Sequence, residues 1–194
     1  MSFEVPHPEI ELPPGGDPLV LVAPSTAHDS RNHLVRTALE SLAAEPVRVV
    51  ATTNRVLPQT PIEVPGNALL VDWLSYSQLM PAASLVISHG GHGTVARALA
   101  AGTPLLISPF VGDMSETAMR VGWARAGLSL PWRLCRPQPL RWAARRILGD
   151  PSFAARAGEF AEWAIEHDGA QRGAQLVEDL ALSRTNRSGA VGGI

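Results

Sequence analysis

Continuous apolar runs alternate along the chain with segments in which apolar residues recur every three or four positions. The runs occupy residues 19–23, 68–71, 85–87 and 104–108, with a shorter one at 128–130 and one at 47–51 that Arg48 interrupts. Uninterrupted runs of this length are typical of strands buried on both faces of a sheet, and helical spacing predicts amphipathic helices. Because strands alternate with helices, we predict an α/β fold with a doubly wound parallel sheet of about six strands.

The region after the last predicted strand is helical by the same criterion. Helical spacing predicts extra C-terminal helices near residues 140–148, 151–164 and 170–182. The predicted packing face of the last helix comprises Ala174, Val177, Leu180 and Ala181. The tryptophans that we expect to pack in the interior, rather than bind a ligand, are Trp123, Trp132, Trp142 and Trp163.

The two ends of the chain differ from its middle. Residues 1–18 hold five prolines and predict an extended linker or arm. Residues 184–194 are polar and contain glycine, which predicts a flexible tail. The predicted domain therefore spans residues 19–183. Because linker-like sequence directly follows the methionine, we expect that another domain once preceded this one, in a parent chain or as a separate partner.

Composition narrows the class of protein. The 194 residues are 45% hydrophobic and 18% charged, as in globular proteins, and the net charge of -2 argues against nucleic acid as a partner. The one cysteine, Cys135, excludes an internal disulfide. No apolar segment is long enough to span a membrane, and the first residues lack the apolar core of a signal peptide. We therefore expect a cytoplasmic protein.

A glycine-rich turn stands between the fourth predicted strand and the next helix. Residues 88–94 read Ser-His-Gly-Gly-His-Gly-Thr. Glycines allow a sharp turn and a close approach of backbone to ligand, and a helix that begins there presents free N–H groups and the positive end of its dipole. The turn lacks the spaced glycines of dinucleotide sites and the lysine of a P-loop. It therefore predicts a pocket for a phosphate-bearing ligand held by backbone groups.

Further candidate residues follow the other strands, whose carboxyl ends meet at the edge of the sheet where ligands bind. Small hydroxyls there suit phosphates, a tryptophan suits a flat base, and a carboxylate suits sugar hydroxyls. The pairs His28/His33 and His89/His92 lack the company and spacing of a metal site, so no metal is predicted. The strand-end residues are Ser25, Thr26, Thr53, Asn54, Trp73, Ser75 and Asp113.

Each candidate also has a structural alternative. The glycine turn is also compatible with a tight strand-to-helix connection that binds nothing. Trp73 is equally compatible with ordinary core packing on sequence grounds alone. His89 is compatible with a buttress of the turn, and Asp113 with a helix N-cap.

Four motifs together carry a resemblance to a known family. They are Trp73, the His-Gly-Gly-His-Gly-Thr of residues 89–94, the Ala-Ala-Gly-Thr-Pro of residues 100–104 and the Pro-Phe-Val-Gly-Asp of residues 109–113. In this combination the chain resembles, from about residue 19 to about residue 182, the donor-binding half of GT-B glycosyltransferases, a Rossmann-like domain. The likeness is to bacterial relatives of the UDP-glucuronosyl/UDP-glucosyl transferases.

The resemblance implies a role for each matching residue. Trp73 would stack on the nucleobase, with Ser75 and Tyr76 near the edge of the base. His89 would reach the diphosphate and assist its departure, and no catalytic base would lie in this chain. Asp113 would hold hydroxyls of the donor sugar. The groups that would bind the phosphates are Gly91, Gly93, Thr94 and, from the other side, Ser25 or Thr26.

The chain departs from the family at two positions. Arg97 stands where the family usually has an acid that binds the ribose, and an arginine cannot accept a hydrogen bond. It is compatible instead with pairing to phosphate or to Asp113. Met114 stands where the family often has a glutamine beside the sugar. The nucleotide and the hexose therefore stay open, although both positions are included in the predicted donor site.

The resemblance implies the donor-binding domain of an inverting glycosyltransferase. It would transfer a hexose from a UDP- or TDP-sugar to an acceptor, without a cofactor. The acceptor site and the general base would lie in an N-terminal domain or a separate subunit, so the isolated chain is expected to be inactive. The alternatives are a non-catalytic nucleotide-sugar-binding or regulatory module and the donor subunit of a split two-chain transferase. A GT-B epimerase would need acid/base carboxylates that the sequence does not offer.

Overall fold

A computed structural model of the protein describes residues 10–25, 29 and 31–189. Thr26, the first nine residues of the predicted arm and residues 190–194 of the predicted tail lie outside the described residues. The strands are β1 (Leu19–Ala23), β2 (Arg48–Thr52), β3 (Ala68–Val71), β4 (Leu85–Ser88), β5 (Leu105–Ile107) and β6 (Gly127–Ser129). The helices are α1 (His33–Leu42), α2 (Tyr76–Leu79), α3 (His92–Ala100), α4 (Met114–Trp123), α5 (Pro137–Leu148), α6 (Pro151–Glu166) and α7 (Gly169–Gly189), with short 3₁₀ turns at Met80–Ala82 and Trp132–Leu134.

The six strands form one parallel sheet in the order β3-β2-β1-β4-β5-β6. This confirms the predicted doubly wound α/β fold. The strand order reverses direction between β1 and β4, and ligands of such sheets bind at this crevice. The register pairs Ala23 with Ser88, so β1 ends beside the start of the glycine turn.

The core has two layers because successive strand residues point to opposite faces of the sheet. On one face Val20 and Val22 of β1 pack with residues of α1 and α5. On the other face Leu19 and Leu21 pack with residues of α3 and α4. Both layers are fully buried along β1, which explains why its sequence is continuously apolar.

The described part of the predicted arm contains neither helix nor strand, as expected, but it is anchored to the domain. Ile10 and Leu12 pack against the core, and Pro13 is buried. Arg48 of β2 donates hydrogen bonds to the carbonyls of Pro13 (3.4 Å) and Asp17 (2.9 Å). The arm therefore follows the β2–β3 side of the sheet instead of leaving the domain.

Three expectations about the helices were wrong. Helix α3 begins at His92 instead of Thr94, so the turn before it is tighter than predicted. Helix α7 extends to Gly189, into the predicted tail, and Val177 and Leu180 are exposed instead of packed. Among the tryptophans, Trp123, Trp142 and Trp163 are exposed, because a helical period shows which side is apolar and not whether another element covers it. No helix in the described part of the chain has both the length and the apolar character needed to cross a bilayer.

Candidate functional site

A cavity of about 350 Å³ lies at the carboxyl ends of β1 to β4, at the point where the strand order reverses. Its lining residues are Pro24, Asn54, Trp73, Leu74, Tyr76, His89, Gly91, His92, Gly93, Thr94 and Arg97. Most of the predicted donor site is therefore brought together, namely Trp73, Tyr76, His89, Gly91, Gly93, Thr94 and Arg97. The cavity combines an aromatic wall with a helix N-terminus.

The glycine turn forms the floor of this cavity. The Oγ of Ser88 accepts a hydrogen bond of 3.1 Å from the N–H of Gly90, which has a φ of 93°. A Cβ on Gly90 would lie 2.8 Å from Cγ2 of Ile107, so the turn has neither the space nor the backbone conformation for a larger residue. Helix α3 starts directly afterwards, and Gly91 before it has no side chain with which to cap its first N–H groups. These groups are suited to bind an anion.

His89 lies against the backbone of this turn. Its Nδ1 is 3.4 Å from the carbonyl oxygen of Ala23 at the end of β1, and a Cβ on Gly91 would lie 2.6 Å from its Nε2. Because a carbonyl only accepts, Nδ1 carries the proton in this contact. Gly91 is therefore the residue that makes room for the imidazole, and donation from Nε2 to a phosphate oxygen beside the helix start requires the doubly protonated imidazolium.

Arg97 brings a positive charge to the same place. A Cβ on Gly93 would lie 3.3 Å from Nη1 of Arg97, so the guanidinium folds back over the first turn of α3. An arginine offers only donors, and a planar guanidinium binds phosphate oxygens in pairs. The side chain at this position can therefore donate to phosphate oxygens but cannot accept a hydrogen bond from a hydroxyl.

The opposite wall of the cavity is Trp73, which is half-buried. Tyr76 is buried beside it and donates a hydrogen bond of 2.9 Å to Oδ1 of Asn54. The Nδ2 of Asn54 donates to the carbonyl of Pro24 at 2.7 Å. The ends of β1 and β2 and the start of α2 are thus tied together beside the cavity, and the half-buried Trp73 belongs to neither of the two buried core clusters.

The remaining predicted residues lie at the rim or beneath the surface. Asp113 does not line the cavity, but its Oδ2 is 3.1 Å from Nδ1 of His92, which does, and both side chains are exposed. The Asp113 side chain does not cap α4. Met114 is buried below the glycine turn, and its carbonyl oxygen would be 3.2 Å from a Cβ on Gly90. Ser25 and Ser75 are also buried and do not line the cavity.

Several residues of the site were not predicted as donor-binding residues. Asn54 was identified only as a strand-end residue, and Pro24, Leu74 and His92 were not assigned to the site. The signal that could have found Pro24 and Asn54 is their position directly after β1 and β2. His92 is the first residue of α3, where a side chain flanks the free N–H groups.

A larger cavity of about 680 Å³ lies on the other side of the sheet edge, near the start of α1. Its polar groups are largely bonded to the protein itself. The two carboxylate oxygens of Asp29 accept hydrogen bonds from the N–H groups of His33 (2.7 Å) and Leu34 (2.9 Å), the first two residues of α1. The Nε2 of His33 is 2.9 Å from the carbonyl oxygen of Cys135, and Arg36 donates to the carbonyl of Pro61 at 2.7 Å. This cavity lacks a free helix start and is the weaker candidate.

Known proteins match this chain in sequence and in fold. Residues 36–180 match the family model described as erythromycin biosynthesis protein CIII-like, C-terminal domain. The chain is 31% identical over 185 residues to 4'-demethylrebeccamycin synthase from Lentzea aerocolonigenes, a match that covers 92% of this chain and 44% of that protein.

Solved structures share the fold over a similar part of their length. The glycotransferase of kitacinnamycin superposes with a TM-score of 0.81 at 23% identity, over 92% of this chain and 47% of that one. The glycosyltransferase VinC in complex with DTDP superposes with a TM-score of 0.64 at 28% identity, over 75% of this chain and 37% of that one. The chain thus spans less than half the length of these relatives.

Proposed function

Because the chain belongs to the family of erythromycin biosynthesis protein CIII-like C-terminal domains, which form one half of GT-B glycosyltransferases, we propose that it binds the donor of a glycosyl transfer reaction. The donor is a nucleoside diphosphate sugar, and the group transferred is a hexose. The observation that carries the proposal is one cavity that is lined both by the uncapped start of α3 and by Trp73. A diphosphate fits the helix start, and a nucleobase fits the indole.

Three groups of residues bind three parts of the donor. The N–H groups around Gly93 and Thr94, with His89 and Arg97, bind the diphosphate and stabilise its charge as the bond to the sugar breaks. Trp73 stacks on the base, and Tyr76 supports the wall beside it. Asp113 at the rim, held by His92, binds hydroxyls of the sugar. Nothing in this division requires a cofactor.

The nucleotide is a pyrimidine diphosphate, either TDP or UDP. The complex of VinC with DTDP supports TDP, and relatives named UDP-glucosyltransferases support UDP. Arg97 in place of an acid leaves the ribose hydroxyls without a carboxylate acceptor at this position, and a deoxyribose has one hydroxyl fewer to bind. We therefore expect TDP to bind at least as tightly as UDP.

Calorimetric titration of the chain with TDP, UDP and their hexose derivatives tests the proposal. We expect saturable binding at millimolar concentration or below, and no binding of any of these ligands would refute the proposed function. Replacing Trp73 by alanine removes the stacking surface and should weaken binding by about 1–3 kcal/mol, which is about 5- to 150-fold in dissociation constant. Unchanged affinity in a folded Trp73→Ala variant would mean that the indole does not contact the base.

The acceptor site and the general base lie, in our proposal, in an N-terminal domain or a separate subunit, in keeping with the fraction of its relatives that the chain spans. The isolated chain should then bind donor without transferring sugar to an acceptor. Adding the complementary half of a relative should allow transfer.

A second candidate is a non-catalytic module that binds or senses a nucleotide sugar. Arg97 and the buried Met114 favour it, because both replace side chains that the family uses on the donor. Intact binding together with persistent inactivity in the presence of a complementary half would support this second function over the first.

A further inference from the structure

Arg55 lies next to the site in a turn whose backbone is unusual. Asn54 and Arg55, the residues after Thr53 at the end of β2, have φ angles of 51° and 64°. Two consecutive residues other than glycine in the left-handed region are uncommon, and such conformations persist only where the surroundings enforce them. The turn is therefore held in place by more than its own sequence.

Hydrogen bonds from three directions hold this turn. The N–H of Asn54 donates to Oγ1 of Thr52 at 3.0 Å, and the N–H of Arg55 donates to the carbonyl of Asp72 at 2.7 Å. The Asn54 side chain adds its bonds to Pro24 and Tyr76. Residues at the ends of β1, β2 and β3 thus all help to fix the backbone conformation of this turn, and with it the position of the Arg55 Cα.

The result of this geometry is a cation against an aromatic ring. The guanidinium carbon of Arg55 lies 5.1 Å from the ring centroid of Trp73. Among the described residues, its guanidinium has no carboxylate partner, so the indole is its contact. Asn54 and Trp73 line the cavity, and Arg55 is not among the described residues that do. The guanidinium therefore lies over one face of the indole, and Arg55 itself does not contribute to the lining of the cavity.

We propose that Arg55 is a positioning residue for the nucleobase. It holds the indole of Trp73 from behind, so that a base stacks on the opposite face and the order is guanidinium, indole, base. This inference rests on the proposed function, because it assumes that the ligand of the cavity carries a base. It predicts that Arg55 affects the part of the affinity that depends on the base and not the part that depends on the phosphates.

The test compares two ligands in calorimetric titrations of the full chain: TDP or UDP, and inorganic pyrophosphate, which lacks the base. Replacing Arg55 by alanine should raise the dissociation constant of the nucleotide by about two- to five-fold, the size of an exposed cation–π contact. The dissociation constant of pyrophosphate should not change. Arg55→Lys keeps the charge but loses the planar guanidinium, so its dissociation constant for the nucleotide should lie between those of the wild type and Arg55→Ala. It also provides a folded variant for the comparison if Arg55→Ala is unstable.

Arg125→Ala is the matched control. Arg125 is also exposed and also left-handed, with a φ of 58°, but it lies after α4 and away from the cavity. It should bind both ligands like the wild type. A second comparison uses the Trp73→Leu background, in which Arg55→Ala should have no further effect on the nucleotide.

The outcomes separate the inference from the proposed function. Equal loss of nucleotide and pyrophosphate binding in Arg55→Ala would mean that the residue acts on the phosphates or on the fold. Unchanged nucleotide binding would remove the positioning role, and tighter binding would mean that Arg55 occupies the place of the base. Each of these results overturns the inference while the donor site stands. A wild-type chain that binds no nucleotide would overturn both.

Discussion

Replacing Gly90 by alanine tests whether the glycine turn is the structural centre of the site. Two costs apply at this residue. Its φ of 93° is a conformation that L-residues avoid, at about 1–3 kcal/mol. Its new Cβ would lie 2.8 Å from Cγ2 of Ile107 and 3.2 Å from the carbonyl oxygen of Met114, an overpacking that typically costs about 1–3 kcal/mol. The sum of about 2–6 kcal/mol is large beside a total stability of about 5–15 kcal/mol.

The assay is denaturant unfolding followed by circular dichroism, with the free energy of unfolding compared between variants. Gly158→Ala is the control, because Gly158 lies within α6 and a Cβ there would meet nothing within 4 Å outside its own helix. It should stabilise the protein by up to about 1 kcal/mol, since alanine favours a helix interior over glycine. The change from glycine to alanine should thus lower the free energy of unfolding at residue 90 and raise it at residue 158.

A second substitution separates the two costs. Ile107→Leu moves the branch away from Cβ and so removes Cγ2, at a cost of less than about 1.5 kcal/mol by itself. The double variant Gly90→Ala/Ile107→Leu should recover the part of the loss that comes from the clash and keep the part that comes from φ. A Gly90→Ala variant within about 0.5 kcal/mol of the wild type would refute the reasoning, because that is the range of neutral surface substitutions.

Two further predictions concern groups outside the cavity. The guanidinium of Arg145 donates a hydrogen bond to Glu45 and holds the pKa of that carboxyl below its ordinary value of about 4.5. The pair therefore stabilises the fold above that pH, and this stabilisation is lost as the pH falls through the lowered pKa. Glu45→Gln should therefore lower the unfolding midpoint at neutral pH and match the wild type once the pH is below the lowered pKa of Glu45; an equal difference at both pH values would contradict it. Burial raises the pKa of the Cys135 thiol, so a thiol reagent should modify it only after unfolding, and rapid modification of the native chain would contradict the buried position.

The sheet was predictable because its strands are buried on both faces. Residues such as Val20 and Leu21 must both be apolar when helices cover both sides, which makes the run visible in the sequence. The helix faces against the sheet were visible for the same reason, as with Leu34 and Ala38 of α1. The exposed Val177 and Leu180 of α7 show the limit of this method, since a periodic pattern does not reveal what lies opposite.

The site was predictable where a residue directly follows a strand and carries its chemistry in its own side chain or backbone. Trp73, His89 and the glycines met this condition, and parallel strands bring such positions to one edge. Arg55 did not meet this condition. Its position depends on left-handed φ angles and on hydrogen bonds that Thr52 and Asp72 accept, and no local sequence pattern predicts these. Met114 shows the opposite limit: its place after Asp113 predicted a donor contact, which stays a prediction, while the packing buries the residue below the glycine turn.

The sequence by itself determined the order of strands and helices and the glycine-rich turn at residues 88–94, because apolar periodicity and glycine content are local properties of the chain. Only the tertiary structure decided that Trp73 lines the same cavity as His89, that Asp113 pairs with His92 at 3.1 Å, and that the guanidinium of Arg55 lies 5.1 Å from the ring centroid of Trp73. These contacts join residues from different strands and helices. Their distances depend on sheet register and helix packing, which are properties of the whole fold.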